Sequence, residues 1–362
     1  MVYLVYLVYL VLMHLPARLQ CKPADQVDKV DQGDQVDVFR TIPRSIREAY
    51  LMGREHLAAS GSAEAPIEAE VLLRHVLQLD RAAFYARWDR PISEDAWSWF
   101  QRVLGERATG RPVPYIVGQR EFMGLTFAVD ERVMIPRPET EVLVEIVLEE
   151  LKKREHGNAG TPTPAPRARG GAGEREGGSE IQDPGSKIQI VDVGTGSGCI
   201  AIALAHRCSH AKVYAIDVSP EALEVARINA ARHGVNGQVE FLPGDLLTPL
   251  PSQLAGCIDA IVSNPPYVPL AQRGALPREI RDFEPAVAVF IDGDGLAAHR
   301  RLIADAPGWL RRSGWLAMEV GAGQADAVSG AMRDDGRYAR IRVVADYGGT
   351  PRVVVGERAA SS

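Results

Sequence analysis

The sequence predicts an α/β protein: a doubly wound, mostly parallel seven-stranded sheet with an antiparallel terminal strand, preceded by a small all-α domain. Three observations predict it. From Ile188 onward, apolar runs of strand length alternate with helical stretches, which implies a largely parallel sheet covered on both faces. A glycine-rich turn, Gly194-Thr195-Gly196-Ser197-Gly198, links the first such run to its helix. Residues 41–112 carry helical periodicity alone.

The 362 residues suit two domains of roughly 100–200 residues each. Apolar and charged fractions of 46% and 24% are those of a globular protein. The net charge of -6 argues against a chain that grips nucleic acid through phosphates, which needs a basic excess, although it leaves room for a local basic patch. Cys21, Cys199, Cys208 and Cys257 form no C-x-x-C, and no histidine stands at metal-ligand spacing from them. They read as thiols of a reducing cytoplasm, with neither a disulfide framework nor a metal site.

Residues 1–40 read as a low-complexity leader. Val-Tyr-Leu occurs three times from Val2 to Leu10, and the apolar run ends at Leu15, short of the ~20 residues of a membrane span. No Lys or Arg precedes it and no small-x-small cleavage site follows, so a signal peptide fits poorly. Asp25, Asp28, Asp31, Asp34 and Asp37 then recur every third residue, a period of neither helix nor strand. A disordered leader, from an over-extended translation start, is the expectation.

Residues 41–112 are expected to form a helical domain. Ser45 and Glu48 make a capping-box pattern ahead of a helix carrying Ile46, Ala49, Tyr50 and Leu57. Pro66 opens a second helix with Ala69, Leu72, Leu73, Val76 and Leu77 on one face. Ser93 caps a third, with Trp97, Phe100, Val103 and Leu104 as its apolar face. Residues 113–137 are expected to be a β-hairpin linker, with Tyr115 to Gly118, Glu121-Phe122 and Leu125 to Val129 as β-prone runs. The second domain is placed at 138–358, opening with Pro138-Glu139-Thr140-Glu141 and an apolar helix from Val142 to Leu151. Residues from about 154 to 187 (TPTPAPRARGGAGEREGGSE at their centre) read as a flexible surface insertion.

Within that domain, strands are expected at Ile188–Val193, Lys212–Ile216, Val239–Leu242, Ile258–Ser263, Trp315–Val320, Ile341–Val344 and Arg352–Val355, the last two paired antiparallel. Helices are expected from Ile200 and from Pro220.

The chemistry sits at the strand ends. Asp192 precedes the loop of Gly194, Thr195, Gly196, Ser197 and Gly198, and its alternating glycines differ from the G-x-G-x-x-G of dinucleotide sites. Glycines admit sharp turns and close ligand approach, and an acid suits the ammonium of S-adenosylmethionine, although any tight strand-to-helix turn shares the pattern. Asp217 ends the second strand, where a carboxylate can accept from both ribose hydroxyls; it suits a nicotinamide cofactor equally, and could instead cap a helix, as could Ser219. Asp245 is placed to accept from an adenine amino group with Leu246 against the ring, or is a surface turn acid.

Asn264-Pro265-Pro266-Tyr267 follows the apolar run Ile258 to Ser263, at the carboxyl end of a strand. An amide nitrogen is a poor nucleophile that cannot usefully be deprotonated near neutrality. Two acceptors can still hold its NH2: the Asn264 side-chain oxygen and the Pro265 carbonyl. Prolines stiffen the loop and Tyr267 can stack on the planar group. A methyl donor then needs in-line approach, with catalysis by positioning and electrostatics.

On these residues the sequence resembles methyltransferases of planar nitrogens, and most closely the HemK/PrmC family of release-factor glutamine methyltransferases. The resemblance runs from about Ser45 to Arg358. It is carried by Pro114 to Gly118, Arg120-Glu121-Phe122, Ile135 to Glu141, Asp192 to Gly198, Asn264 to Tyr267 and Arg281 to Pro285. The run Ile135-Pro136-Arg137-Pro138-Glu139-Thr140-Glu141 is the most family-specific piece. The resemblance implies a helical domain that helps dock the release factor, a hairpin linker and a Rossmann-like class I methyltransferase domain. It implies S-adenosylmethionine as cofactor, S-adenosylhomocysteine as product, and the glutamine of the factor's Gly-Gly-Gln loop as substrate. The loop glycines and Asp217 would bind the cofactor, with Thr195, Ser197, Asp245, Leu246 and Asn264 beside it. Asn264, Pro265, Pro266 and Tyr267 would hold the glutamine amide.

The rival reading is an N6-adenine methyltransferase of DNA or RNA, which shares the N-P-P-Y chemistry but must extract a base and hold a strand. No target-recognition domain and no basic stripe is seen in the sequence. A non-catalytic relative is disfavoured because every expected site residue is present, and a dehydrogenase by the glycine spacing. The expected partner is therefore a release factor, with no direct nucleic acid, no membrane and a cytoplasmic monomer.

Overall fold

The computed structural model describes residues 41–158 and 188–360, so the leader at 1–40 and most of the insertion lie outside the described residues. The chain divides into two compact units between Val117 and Gly118.

The first unit is helical. Helix α1 (Ile46–Ala59) starts where the Ser45 hydroxyl accepts the Glu48 N–H at 3.2 Å. The Glu48 carboxylate reaches one residue further back than a capping box requires and accepts the Arg44 N–H at 2.6 Å. Helix α2 (Ala65–Leu77) carries Pro66 in its first turn, and α4 (Glu94–Ala108) is capped by Ser93. Between them lies a short helix absent from the sequence reading, α3 (Arg81–Ala86), capped by Asp80 and anchored by buried Phe84. Leu57, Leu72, Leu73, Phe100 and Leu104 are fully buried at its core. Gly53 lets α1 and α4 touch: a Cβ there would stand 2.6 Å from the Phe100 ring.

Tyr115 to Val117, expected as part of a β-prone linker, instead belong to a helix, α5 (Val113–Val117). The Pro112 carbonyl accepts the N–H groups of Tyr115 and Ile116, and Tyr115 is buried. Val113, Ile116 and Val117 pack on the helical core, and that burial outweighs the weak strand preference of β-branched residues.

The second unit opens with a hairpin, β1 (Gln119–Phe122) and β2 (Leu125–Ala128), in antiparallel register. Its turn residues Met123 and Gly124 both have positive φ, 53° and 77°, as a two-residue hairpin turn requires. Helix α6 (Pro138–Asn158) follows and runs through the first residues assigned to the insertion. The sheet then comprises β3 (Ile188–Val193), β4 (Ala211–Asp217), β5 (Val239–Pro243), β6 (Ile258–Ser263), β9 (Leu310–Glu319), β10 (Tyr338–Ala345) and β11 (Pro351–Arg358). Their spatial order is β10-β11-β9-β6-β3-β4-β5. All neighbours are parallel except β11, which runs antiparallel to both β9 and β10. This is the expected sheet, class I methyltransferase in form.

Helices α7 (Cys199–Arg207) and α8 (Pro220–Arg232) connect β3, β4 and β5; α11 (Ala297–Trp309) and α12 (Ala325–Asp335) precede β9 and β10. Alternate residues of the central strands feed two apolar layers. Ile190, Val213, Ala215, Ala260 and Val262 pack with α6 and α7, while Val191, Val193, Ile216 and Ile261 pack with α11 and α12. Between β6 and β9 the chain also forms small elements the sequence reading omitted: β7 (Val268–Pro269), α9 (Arg278–Phe283), α10 (Ala286–Val289) and β8 (Phe290–Ile291). Among the described residues no helix is long and apolar enough to cross a membrane.

Candidate active site

Strand order reverses at β3, with β4 on one side and β6 on the other, and a crevice opens beyond the carboxyl ends of such strands. A cleft of about 330 Å³ lies there, within the usual range for small-molecule sites. Gly194, Gly196, Asp217, Leu246, Asn264 and Pro265 all line it.

The glycine loop forms its floor. The N–H groups of Gly194 and Thr195 both donate to the Ile216 carbonyl at 2.9 Å, folding the chain over the end of β4. Gly194, Gly196 and Gly198 have φ of 74°, 53° and 81°, a region that disfavours a Cβ. They are not equivalent. A Cβ on Gly196 would meet nothing within 4 Å, whereas one on Gly198 would stand 2.8 Å from the Ile202 side chain and 3.1 Å from the Ala226 Cβ. Gly196 therefore leaves room for a ligand, and Gly198 lets α7 approach α8.

Asp192 does not reach the cleft. Strand alternation turns its side chain beneath the loop, where it is fully buried. One carboxylate oxygen accepts the Thr195 hydroxyl at 2.6 Å and the Ala201 N–H at 3.1 Å. Burial pushes its carboxyl up to about 7. The role suggested for it toward a ligand ammonium is thus corrected: it braces the loop. Ser197 is also buried, and its carbonyl accepts the Asn229 amide at 2.9 Å. The same fully buried Asn229 exchanges two bonds with the Ala128 backbone, tying the hairpin to the loop.

Asp217 faces the cleft. Its two oxygens accept the Gly196 N–H at 2.8 Å and the Ser219 N–H at 2.9 Å. Burial raises its carboxyl above the ordinary carboxylate range, and the backbone donors pull it back. An ionised carboxylate has about four acceptor sites, so about two remain for a vicinal diol. The Ser219 hydroxyl caps α8 by accepting the Ala222 N–H, which settles which residue caps that helix. Asp245 sits at the rim, half-exposed, and its carboxylate is gripped by the Arg301 guanidinium at 2.6 and 3.3 Å. Leu246 lines the cleft in a left-handed conformation, φ 49°, rare for a side chain of its kind.

The opposite wall is the Asn264-Pro265-Pro266 segment. Ser263, fully buried, donates to the Val193 carbonyl at 2.8 Å, which locks the ends of β6 and β3 together. A Cβ on Gly194 would lie 3.9 Å from the Asn264 carbonyl oxygen, so loop and wall are immediate neighbours. Asn264, Pro265 and Pro266 line the cleft. Tyr267 does not. Its hydroxyl points toward Glu319 at 3.4 Å and its carbonyl accepts the Gln324 amide at 3.0 Å. Gly295 and Gly321 make room for it: a Cβ on either would come within 3.0 Å of Tyr267.

Two more residues belong to this end of the cleft, Thr140 on its lining and Glu319 beyond it, and the sequence reading assigned neither a role in the site. The Asn264 amide nitrogen donates to the Thr140 hydroxyl oxygen at 3.1 Å, and that hydroxyl donates to Glu319 at 2.7 Å. Glu319 is 1% exposed, and burial pushes its carboxyl up to about 7. A signal was available: an acid inside the apolar run Trp315 to Val320 has to find a partner. Arg137 and buried Glu284 form a further ion pair that joins the start of α6 to the segment after α9.

The lining fits S-adenosylmethionine. Asp217 offers acceptors to a ribose diol, Val218 and Leu246 offer apolar contact to a base, and the Gly194–Gly196 turn leaves space for an amino-acid head. Among the described residues the cations on the lining, Arg132 and Arg301, are already paired with Asp130 and Asp245. That suits a cofactor without phosphates.

Comparison with known proteins agrees. Residues 48–118 match the PrmC N-terminal domain and residues 184–287 match a methyltransferase domain. A release factor glutamine methyltransferase of Moorella thermoacetica is 38% identical over 314 residues, which span 87% of this chain and 99% of the relative. Relatives of the same name from Koribacter versatilis and Geobacter sulfurreducens are 37% and 36% identical, over 88% and 86% of this chain and 100% and 96% of their own.

Proposed function

The chain belongs to the release factor glutamine methyltransferase family, and from that premise we propose which of its atoms carry the reaction. It is an S-adenosylmethionine-dependent protein-glutamine N-methyltransferase, and the substrate side chain is the glutamine of a release factor's Gly-Gly-Gln loop. The bound cofactor supplies an electrophilic methyl group on a sulfonium. Gly194, Thr195, Gly196, Ser197 and Gly198 shape its seat, and Asp217 accepts from the ribose hydroxyls. Leu246 contacts the adenine. Asp245 accepts from the adenine amino group only by sharing its carboxylate with Arg301.

The glutamine NH2 donates one hydrogen to the Asn264 side-chain oxygen and one to the Pro265 carbonyl. Held by both, the nitrogen keeps its lone pair, normal to the amide plane, aimed along one direction, so the bound geometry supplies much of the rate. The nitrogen becomes acidic only once methylated, so one of its two protons then passes to water, and the weak acceptors that held it suffice without a strong base. Pro265 and Pro266 keep the acceptors aimed, and Tyr267 anchors the segment from behind. Supporting this reading is the abutment of glycine loop and proline-braced wall at adjoining strand ends, Gly194 against Asn264.

The same proposal has the enzyme acting as a cytoplasmic monomer without direct contact to nucleic acid. The net charge of -6 supports the last point, and among the described residues Cys199 and Cys257 are free thiols. The deciding experiment offers labelled S-adenosylmethionine with a release factor, its Gln-to-Ala loop variant, or DNA. Label is expected on the unaltered factor alone. Label on DNA and none on the factor overturns the assignment.

A further inference from the structure

An asparagine amide has two ends of opposite hydrogen-bonding character, and only one of them can receive an NH2 group. For the reading above, on which this inference rests, the Asn264 oxygen must face the substrate and its nitrogen must face away. Nothing in the asparagine itself enforces that choice. Its partner does. The Thr140 hydroxyl has a single proton, and the geometry commits it to Glu319 at 2.7 Å. What Thr140 then offers to Asn264 is a lone pair, 3.1 Å from the amide nitrogen. A flipped amide would set oxygen against oxygen with no hydrogen between them.

We propose that Glu319, acting through the Thr140 hydroxyl, is a positioning residue that fixes the Asn264 amide with its oxygen toward the substrate. Thr140 sits in the first turn of α6, Glu319 ends β9 and Asn264 follows β6, so three elements distant in sequence must converge to make the relay.

The relay needs an ionised Glu319. A protonated carboxyl can donate its own hydrogen to Thr140, whose hydroxyl is then free to turn toward Asn264 and favour the flipped amide. The groups facing Glu319 set where this happens. Thr140 on α6, Tyr267 after β6 and Arg352 on β11 favour the ionised form; burial and Glu139 on α6 oppose it. Arg352 is itself shared with Asp346. The His299 ring on α11 lies 2.8 Å from the Glu319 backbone carbonyl, and the buried Cys199 thiol on α7 is also close enough to feel its charge. With the carboxyl near 7, methyl transfer falls as pH drops through that value.

The test uses the full-length enzyme with a release factor and S-adenosylmethionine. Thr140→Val, which keeps the shape and loses the hydroxyl, should lower kcat by about 10–100-fold, as loss of an outer partner that orients a site group does. Cofactor affinity, read by calorimetry, should hold, and Thr140→Ser should restore the rate. Glu319→Gln cannot titrate, so the acid limb of its kcat profile should vanish. An undiminished kcat in Thr140→Val, failure of Thr140→Ser to rescue, or an acid limb that survives in Glu319→Gln overturns the proposal. Where Thr140→Val does not melt cooperatively, the Glu319→Gln profile decides alone. Asn264→Ala separates the two levels: if it keeps full rate, the amide-holding reading itself fails, whereas its loss beside an active Thr140→Val sinks only the relay.

Discussion

Two buried acids support the two ends of the cleft, and they differ in how the chain supplies their partners. Asp192 and Glu319 are both nearly inaccessible, and burial pushes each carboxyl up to about 7. Each accepts a threonine hydroxyl, at 2.6 and 2.7 Å. Asp192 draws on its own loop, with Thr195 three positions away and Ala201 nine. Glu319 draws on Thr140, 179 positions away, and Tyr267, 52 away. One acid shapes a loop through local bonds; the other connects elements that only the finished sheet brings together. On the proposed assignment of the two ends, the loop beneath the cofactor is braced by a local motif, while the group aimed at the second substrate depends on distant strands meeting correctly.

Substitutions at the two ends should separate cleanly. The largest effect is expected from Asn264→Ala: kcat lowered by about 10²–10³, the scale of removing one preorganised hydrogen-bonding group, with cofactor binding at least partly retained. An equal loss of both would erase the distinction between the ends. Asp217→Ala should act in the opposite sense, weakening S-adenosylmethionine binding by about 10-fold or more, since a hydrogen bond to a charged acceptor contributes about 1.5–3 kcal/mol. Isothermal titration measures it, and unchanged affinity would remove Asp217 from the seat.

Stability against pH sharpens the comparison further. Asp192 binds its proton more tightly folded, about 7 against an ordinary 3.8, so the folded form gains from protonation and its stability falls as pH rises from about 4 to 7. Asp192→Asn should flatten that fall, by up to about 1.4 kcal/mol per pH unit at its steepest, in denaturant melts across the range. A slope unchanged from wild type would mean that Asp192 is ionised throughout. The smallest effect is expected at the rim. Arg301→Ala frees Asp245 from an exposed ion pair, which contributes about 0–1 kcal/mol, so cofactor affinity should move by no more than a few-fold.

Much of the fold was legible because it is periodic. Apolar runs ending at Val193, Ile216 and Ser263 mark β3, β4 and β6, and the chemistry-bearing residues follow each run directly. Where the reading failed, a local signal competed with burial. Tyr115 to Val117 look like a strand, yet they join a helix because Tyr115 and its neighbours complete an apolar core. Tyr267 looks like a stacking platform, yet its hydroxyl is drawn toward Glu319, away from the cleft.

By itself, the sequence determined the strand-end placement of Gly194 to Gly198, Asp217 and Asn264 to Pro266, because turn chemistry and alternation are properties of a few consecutive residues. Tertiary structure alone decided which of these groups face the cleft. It sends Asp192 beneath the loop, couples Asn229 to the hairpin and sets Thr140 between Asn264 and Glu319. The physical reason is that a buried polar atom must find a partner wherever the packed elements put one, and separation along the chain has no bearing on who that partner is.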